Sequence, residues 1–263
     1  MEKTKFKVES GIQLLTRLSS KKTTVDNFYP NLFQSGPKSG EVIEVFSNRS
    51  CSFLLIDMII EAVLPIKFGG AEIGVLIINT DGHISLPALT AALQNKLHTQ
   101  HHFGLHEDDC AKVLNDMIDN IFILDVFDAT QLYTTFQNLE NILIKHNNIS
   151  LCVIDTLTAF YWSEQSFKIT KMDIYLRNLL RIVQKAVQGH EVTILYTRPE
   201  YFNSSRDLIE ITEACAEVPT AEKVNCRIQV FQNEDETFTA NVTTSSDVTR
   251  KNFKIEFNKI SWL

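Results

Sequence analysis

The chain has 263 residues, 44% of them hydrophobic and 22% charged, which is enough apolar material for one large core without disulfides or structural metals. Its formal charge of −7 at pH 7 argues against unaided binding of duplex DNA, which needs a basic face to neutralise phosphates. The five cysteines, Cys51, Cys110, Cys152, Cys215 and Cys226, are odd in number and form no CxxC pair, so they point to a reducing compartment rather than a secreted disulfide framework.

The polar start, Met1-Glu-Lys-Thr-Lys5, is followed by no signal-like apolar stretch. The longest apolar run, Phe53 to Leu64, contains Asp57 and Glu61 and is too short to span a bilayer, so the chain reads as soluble with no membrane contact. Ser10-Gly-Ile-Gln13 has the form of a capping box. Ile12, Leu15 and Leu18 then recur three apart, which predicts a short helix to about Leu18. Gln34-Ser-Gly-Pro-Lys-Ser-Gly40 is a loop by its glycines and proline. The reading is therefore an N-terminal helix and linker over residues 1–39 and a main domain over residues 40–263.

From Glu41 strands and helices alternate. Glu41 to Phe46 reads as a strand and Phe53 to Leu64 as a helix stopped by Pro65. Ile73 to Ile78 is a second strand. Ser85 is placed to cap a helix with Pro87 in its first turn, running to about His98. A helix over Asp108 to Met117 and a third strand over Ile121 to Val126 follow, and Leu132, Phe136, Leu139 and Leu143 mark a helical stripe. Ile149 to Ile154 is a fourth strand. Met172, Leu176, Leu179, Leu180, Val183 and Val187 line a long amphipathic helix with Gly189 at its end, and Val192 to Tyr196 is a fifth strand.

Such apolar strands separated by helices predict an α/β fold with a mainly parallel sheet covered on both faces. Beyond a polar stretch from Arg198 to Asn225, the runs Arg227–Phe231, Phe238–Val242 and Phe253–Phe257 read as antiparallel strands added at the sheet's edge.

Ligands of such sheets bind at the carboxyl ends of the strands. A phosphate loop after the first strand needs G-x-x-x-x-G-K-[ST]: glycines for close backbone approach, a lysine for charge and a hydroxyl for Mg²⁺. Here the segment is Ser47-Asn-Arg-Ser-Cys-Ser-Phe53, with neither glycine nor lysine. Ser52 keeps the hydroxyl, Cys51 takes the lysine place, and Arg49 is the available cation. Asp155 ends the fourth strand in the Walker B manner, where a carboxylate orients Mg²⁺ through water. Asp also ends buried strands simply by capping the next turn, and the sequence leaves both roles open. Asp81, in Asn79-Thr-Asp-Gly-His83, stands either where a base polarises water or as a plain turn residue.

The remaining chemistry-bearing clusters read as surface. His98, His101, His102, His106, Asp108, Asp109 and Cys110 lack the short paired spacing of a zinc site and are taken as a polar connector, so no metal is assigned. Arg198, Arg206, Arg250, Lys251, Lys254 and Lys259 are the nearest approach to a basic cluster and are read as solvated.

Several segments carry a resemblance: Glu9-Ser-Gly-Ile-Gln-Leu-Leu15, Pro30-Asn-Leu-Phe33, Gly40-Glu-Val-Ile-Glu44, Gly69-Gly70, Val75-Leu-Ile-Ile-Asn-Thr-Asp81 and Leu151-Cys-Val-Ile-Asp-Thr-Leu-Thr-Ala-Phe-Tyr-Trp162. On these the chain resembles the eukaryotic Rad-type recombinase paralogues, RecA-fold proteins, and among them the smallest. The resemblance implies a RecA-like core and a nuclear role in homologous recombination. It also implies a hetero-oligomer with sister paralogues and contact with DNA through that complex.

The chain departs from the family at the phosphate loop, where members usually keep the glycines, lysine and threonine. The expectation is therefore a structural partner with no cofactor, ATP and Mg²⁺ binding only if the atypical loop still serves. The alternatives are a DNA-dependent ATPase or an unrelated cytosolic α/β enzyme. The resemblance further implies that a sister paralogue's linker docks here. Ile121 is then expected on the open strand edge, with Leu132, Phe136 and Leu139 lining a groove beside it.

Overall fold

The computed structural model describes residues 10–11, 24–26, 28–33, 36–47, 50–100, 107–165, 171–199, 224–245, 247–256 and 259–263, with backbone only at 98–100 and 107–109. Most of the helix expected from Ser10, Arg49, most of the histidine cluster and most of the polar stretch after Arg198 lie outside these residues.

The first strand, β1, is Val42–Ser47, buried at every position as a strand covered on both faces must be. Helix α1, Ser52–Val63, follows and stops before Pro65, whose ring bars the helical conformation for Leu64. A 3₁₀ turn over Ile66–Phe68 leads to β2, Gly74–Asn79. Gly70 fits this turn because a Cβ there would lie 2.0 Å from the Leu64 carbonyl oxygen, a distance no side chain tolerates.

Helix α2, Leu86–Gln100, starts where Ser85 lends its carbonyl to Leu89 N–H at 3.0 Å and its Oγ to Ala88 N–H at 3.4 Å. Helix α3 is Glu107–Asp119 and β3 is Ile121–Asp125. Helix α4, Ala129–Lys145, has a cap that the sequence pattern did not reveal. Asp128 accepts from Gln131 N–H at 2.8 Å, while the Gln131 side chain accepts from Phe127 N–H at 2.9 Å.

Strand β4, Ile149–Asp155, is buried throughout. The single turn α5, Tyr161–Glu164, precedes α6, Met172–Val187, which ends at Gln188 with Gly189 in the left-handed region at φ 88°. Then come β5, Thr193–Pro199, β6, Cys226–Gln232, β7, Phe238–Thr244, β8, Val248–Glu256, and β9, Lys259–Trp262.

These strands form a sheet in the order β3-β2-β4-β5-β1-β6-β7-β8-β9. β3 through β6 run parallel across β2, β4, β5 and β1, and β7, β8 and β9 are antiparallel. The α/β architecture with an antiparallel C-terminal extension agrees with the sequence reading, with two differences. β6 joins β1 in parallel, so the antiparallel part starts at β7. β9 is an extra edge strand whose four residues are too short to show a period.

One face of the sheet carries α1, α2 and α3, whose Leu54, Leu55, Met58, Leu89, Leu93 and Met117 pack on Val45, Val75, Ile77 and Val153. Val25, Phe28, Tyr29, Leu32 and Phe33 join this cluster. The Tyr29 hydroxyl donates to Asp57 on α1, and its ring meets the edge of Trp262 on β9 at 6.0 Å. The opposite face carries α4 and α6 over β2, β4 and β5.

Here the expected docking groove is corrected. Leu132, Phe136 and Leu139 are each 0% exposed, held between the sheet and α6, and are core rather than groove lining. Their three-and-four spacing reflects a helix packing on its own sheet. Ile121 does lie on an edge, since β3 pairs only with β2 among the described residues.

Candidate functional site

The C-terminal ends of β1, β2, β4 and β5 converge, and there the sequence-assigned residues Cys51, Ser52, Asp81 and Asp155 come together. Cys51 is the N-cap of α1 but makes no side-chain cap hydrogen bond. It is 8% exposed and lies against Ser47 and close enough to Asp155 for the two to interact electrostatically. Burial pushes its thiol up to about 11; the hydrogen bond with Ser47 opposes the rise, and the Asp155 charge adds a smaller push in the same direction as burial. At neutral pH the place of a P-loop lysine is thus taken by an uncharged thiol. Ser52 opens α1 beside it. Ser50 donates to Ser52 Oγ at 3.1 Å and accepts from Ser52 N–H at 3.4 Å, so the two serines tie the helix start to the preceding loop.

Asp155 is 6% exposed at the end of β4. Its Oδ1 accepts from the Thr197 hydroxyl at 2.6 Å, whereas Oδ2 is buried with no hydrogen-bond partner among the described residues. Burial raises its pKa most. The Asp81 charge raises it further, and the Thr197 bond and His83 oppose the rise. Thr80 and Asp81 of the β2 turn reach over the Asp155 carbonyl, donating their N–H groups to it at 2.8 and 3.1 Å. The Thr80 hydroxyl meets Thr156 at both its N–H, 2.6 Å, and its carbonyl, 2.8 Å. Thr156 in turn donates from its hydroxyl to the Thr197 carbonyl at 2.5 Å.

These threonines fix the ends of three strands to one another, and sequence reasoning missed the roles of Thr80 and Thr156 because small hydroxyls at strand ends carry no period. Asp81 stays at the rim, its Oδ2 3.8 Å from His83 Nδ1. Burial raises its carboxyl's pKa and His83 opposes that.

A polyphosphate with Mg²⁺ needs backbone N–H groups free to approach it, a cation and a carboxylate. The carboxylate is present in Asp155, whose Oδ2 has spare lone pairs. The glycines and lysine are absent from Ser47 to Phe53, and the thiol in the lysine place is neutral. The residues therefore do not fit a nucleotide triphosphate in the P-loop manner. Among the described residues no group of three or more His, Cys, Asp or Glu is placed to hold a metal ion.

A second polar group, on the face of the sheet that carries α4 and α6, was also missed. Glu44, in the middle of the apolar β1, is 3% exposed and collects Tyr196 Oη at 2.7 Å, Arg198 Nε at 2.8 Å and Arg227 Nε at 3.0 Å. Burial pushes its carboxyl up, but the two guanidinium groups together with the bonds from Arg198 and Tyr196 outweigh it and hold the pKa below the usual value. Arg198 also lies over the Phe46 ring at 4.7 Å. The available signal was a lone Glu inside Val42-Ile-Glu-Val-Phe46, which a buried strand does not accept without cations beside it.

No family model matches the chain. It is 22% identical over 84% of its length to 76% of "DNA repair protein XRCC2" from Mus musculus. It is 22% identical over 66% of its length to "DNA repair protein rhp51" from Schizosaccharomyces pombe, of which it spans 45%. It is 23% identical over 70% of its length to "DNA repair and recombination protein RadB" from Methanobrevibacter smithii, again spanning 70% of that protein. With a parallel sheet in this order, helices on both faces and these relatives, the chain is an XRCC2-like protein with the RecA-like core.

Proposed function

We propose that this chain acts in the nucleus in DNA repair by homologous recombination, as a subunit that docks on a RecA-fold sister paralogue and does not hydrolyse ATP. The observation that carries the reading is the buried, uncharged Cys51 at the head of α1, in a loop without glycine or lysine, on a fold whose relatives are named for DNA repair. Such a chain keeps the shape of the core while lacking the counter-charge for phosphate. DNA reaches it through the assembly.

The β3 edge supports the docking part. Asn120 C=O and Val126 N–H face β2, so alternation turns the main-chain groups of Ile121, Ile123 and Asp125 outward, where an added strand pairs. The test is co-expression with each sister paralogue and pull-down, comparing wild type with Ile123→Pro. Proline there removes an outward N–H and leaves the β2 ladder intact. The reading expects capture of one paralogue by wild type and its loss in the variant with the far-ultraviolet circular dichroism unchanged. Equal capture by both removes β3 as the docking edge, and capture of none by wild type removes the assembly.

A second reading, an ATPase with an unusual loop, is favoured by one observation: the buried Asp155 Oδ2, which has no hydrogen-bond partner among the described residues, beside Asp81.

A further inference from the structure

A cavity of about 290 Å³ opens beside the amino ends of β2 and β3, at the pole of the sheet opposite Asp155. Ligand pockets run upward from about 300 Å³, so this one has room for a single side chain rather than a cofactor. Pro65 stops α1 and the 3₁₀ turn follows, which makes one wall a turn, while α3 supplies the other. The spacing of Val113, Asp116 and Met117 puts all three on one face of α3. Val113 and Met117 are buried there, and with the buried Val63 at the end of α1 they form an apolar floor.

The rim is charged, and unequally so. Glu72 and Asp116 line it as acids and Lys67 as a base. Lys67 already holds its ammonium over the Phe68 ring, 4.9 Å from the centre. Neither carboxylate has an ion-pair partner among the described residues. Glu72 sits in the left-handed region at φ 51°, where its N–H donates to the Leu64 carbonyl at 3.0 Å and its Oε2 accepts from Ile66 N–H at 3.1 Å. These bonds fix one carboxylate at the mouth. α3 ends at the same pole with no basic residue in its last turn, so its carbonyl end adds negative potential. Ile66, between the lining residues Pro65 and Lys67, is 65% exposed and offers an apolar surface beside the opening.

We propose that this cavity receives an arginine side chain from a segment of a partner protein. The guanidinium lies between Glu72 and Asp116, the methylene stem rests on Val63, Val113 and Met117, and an apolar neighbour of that arginine covers Ile66. Arginine suits the site because its planar, weakly hydrated guanidinium offers a fork of donors to two separate carboxylates, and its stem buries as apolar surface. A lysine ammonium is a more strongly hydrated point charge, and an acidic side chain meets charge of its own sign. The inference stands on this cavity alone and needs neither the β3 edge nor the site around Asp155.

The test is a heteronuclear NMR titration of the purified full chain with the blocked dipeptide acetyl-Leu-Arg-amide at low salt. Wild type is expected to show saturable shifts with a dissociation constant of about 1 mM or tighter. Acetyl-Leu-citrulline-amide, which has the same shape without the charge, is expected to bind about tenfold more weakly or worse. Glu72→Gln and Asp116→Asn, both at exposed positions, are each expected to weaken the arginine dipeptide by a similar factor with their amide spectra otherwise unchanged. No saturable binding by wild type overturns the proposal, as does equal binding of the arginine and citrulline dipeptides or equal binding by wild type and the two variants. Agmatine, the same cation without leucine or backbone, is expected to bind more weakly than the dipeptide. Binding of agmatine as tightly as the dipeptide overturns the protein partner in favour of a small free cation.

Discussion

The Thr197 hydroxyl donates to Asp155 Oδ1 at 2.6 Å, joining the end of β5 to the end of β4 at the place where a RecA-like site would handle a metal. The bond occupies one oxygen of a carboxylate that burial already disfavours as an anion, with the Asp81 charge adding to the penalty. A carboxyl whose folded pKa lies above its unfolded value weakens the fold when ionised. That penalty is full above the folded pKa and fades as pH falls through it towards about 3.9. Asp155→Asn keeps an oxygen for Thr197 and removes the charge. The variant is expected to be at least as stable as wild type at pH 7, with an advantage that shrinks as the pH falls. Urea unfolding over a pH series measures this, and an advantage that grows on acidification contradicts it.

Glu44 has the opposite sign. Its carboxyl is held below the ordinary range, with burial resisting and Arg198, Arg227 and Tyr196 prevailing. The stability it contributes is present above about pH 4.3 and is lost as pH falls through its lowered folded pKa. Glu44→Gln leaves two guanidinium groups facing a neutral amide, at a cost of about 3 kcal/mol near neutral pH. Wild type and variant are expected to converge in acid. A variant as stable as wild type at pH 7 shows that the charge contributes nothing.

Cys51, with its thiol pushed up to about 11 by burial and the Asp155 charge, is expected to resist alkylation in the folded chain at neutral pH. Mass spectrometry after brief iodoacetamide treatment should find Cys51 modified in urea and unmodified without it. Modification of folded Cys51 as fast as of a small free thiol means the head of α1 is open.

Phe136 is 0% exposed on α4, so Phe136→Ala is expected to cost about 3–5 kcal/mol of stability through the cavity it leaves. Chemical denaturation measures it. A loss below about 1 kcal/mol means that the site collapses or that the ring is not core.

Much of this fold was legible locally, because a buried parallel strand must be apolar along its length and Ser85 and Gly189 announce helix ends. Two features were not. β6 lies parallel to β1, and nothing within Cys226–Gln232 distinguishes that from an antiparallel join, since either is apolar and alternating. The helical stripe of Leu132, Phe136 and Leu139 was equally silent on whether it faced its own sheet or a partner. At the site, register with the P-loop motif placed Cys51 and Ser52, and the Walker B pattern placed Asp155, whereas the bonds that join Thr80, Thr156 and Thr197 became visible only once three strand ends met. The Glu44 network needed the same juxtaposition, drawing its cations from β5 and β6.

The central claim is that this XRCC2-like chain contributes to repair without using nucleotide itself. Equilibrium titration of the pure chain with a fluorescent ATP analogue and Mg²⁺ tests it most directly. The claim predicts a dissociation constant weaker than about 100 μM, leaving about 5.5 kcal/mol or less of binding. Mg²⁺-dependent binding near about 1 μM, abolished by Asp155→Asn, contradicts it.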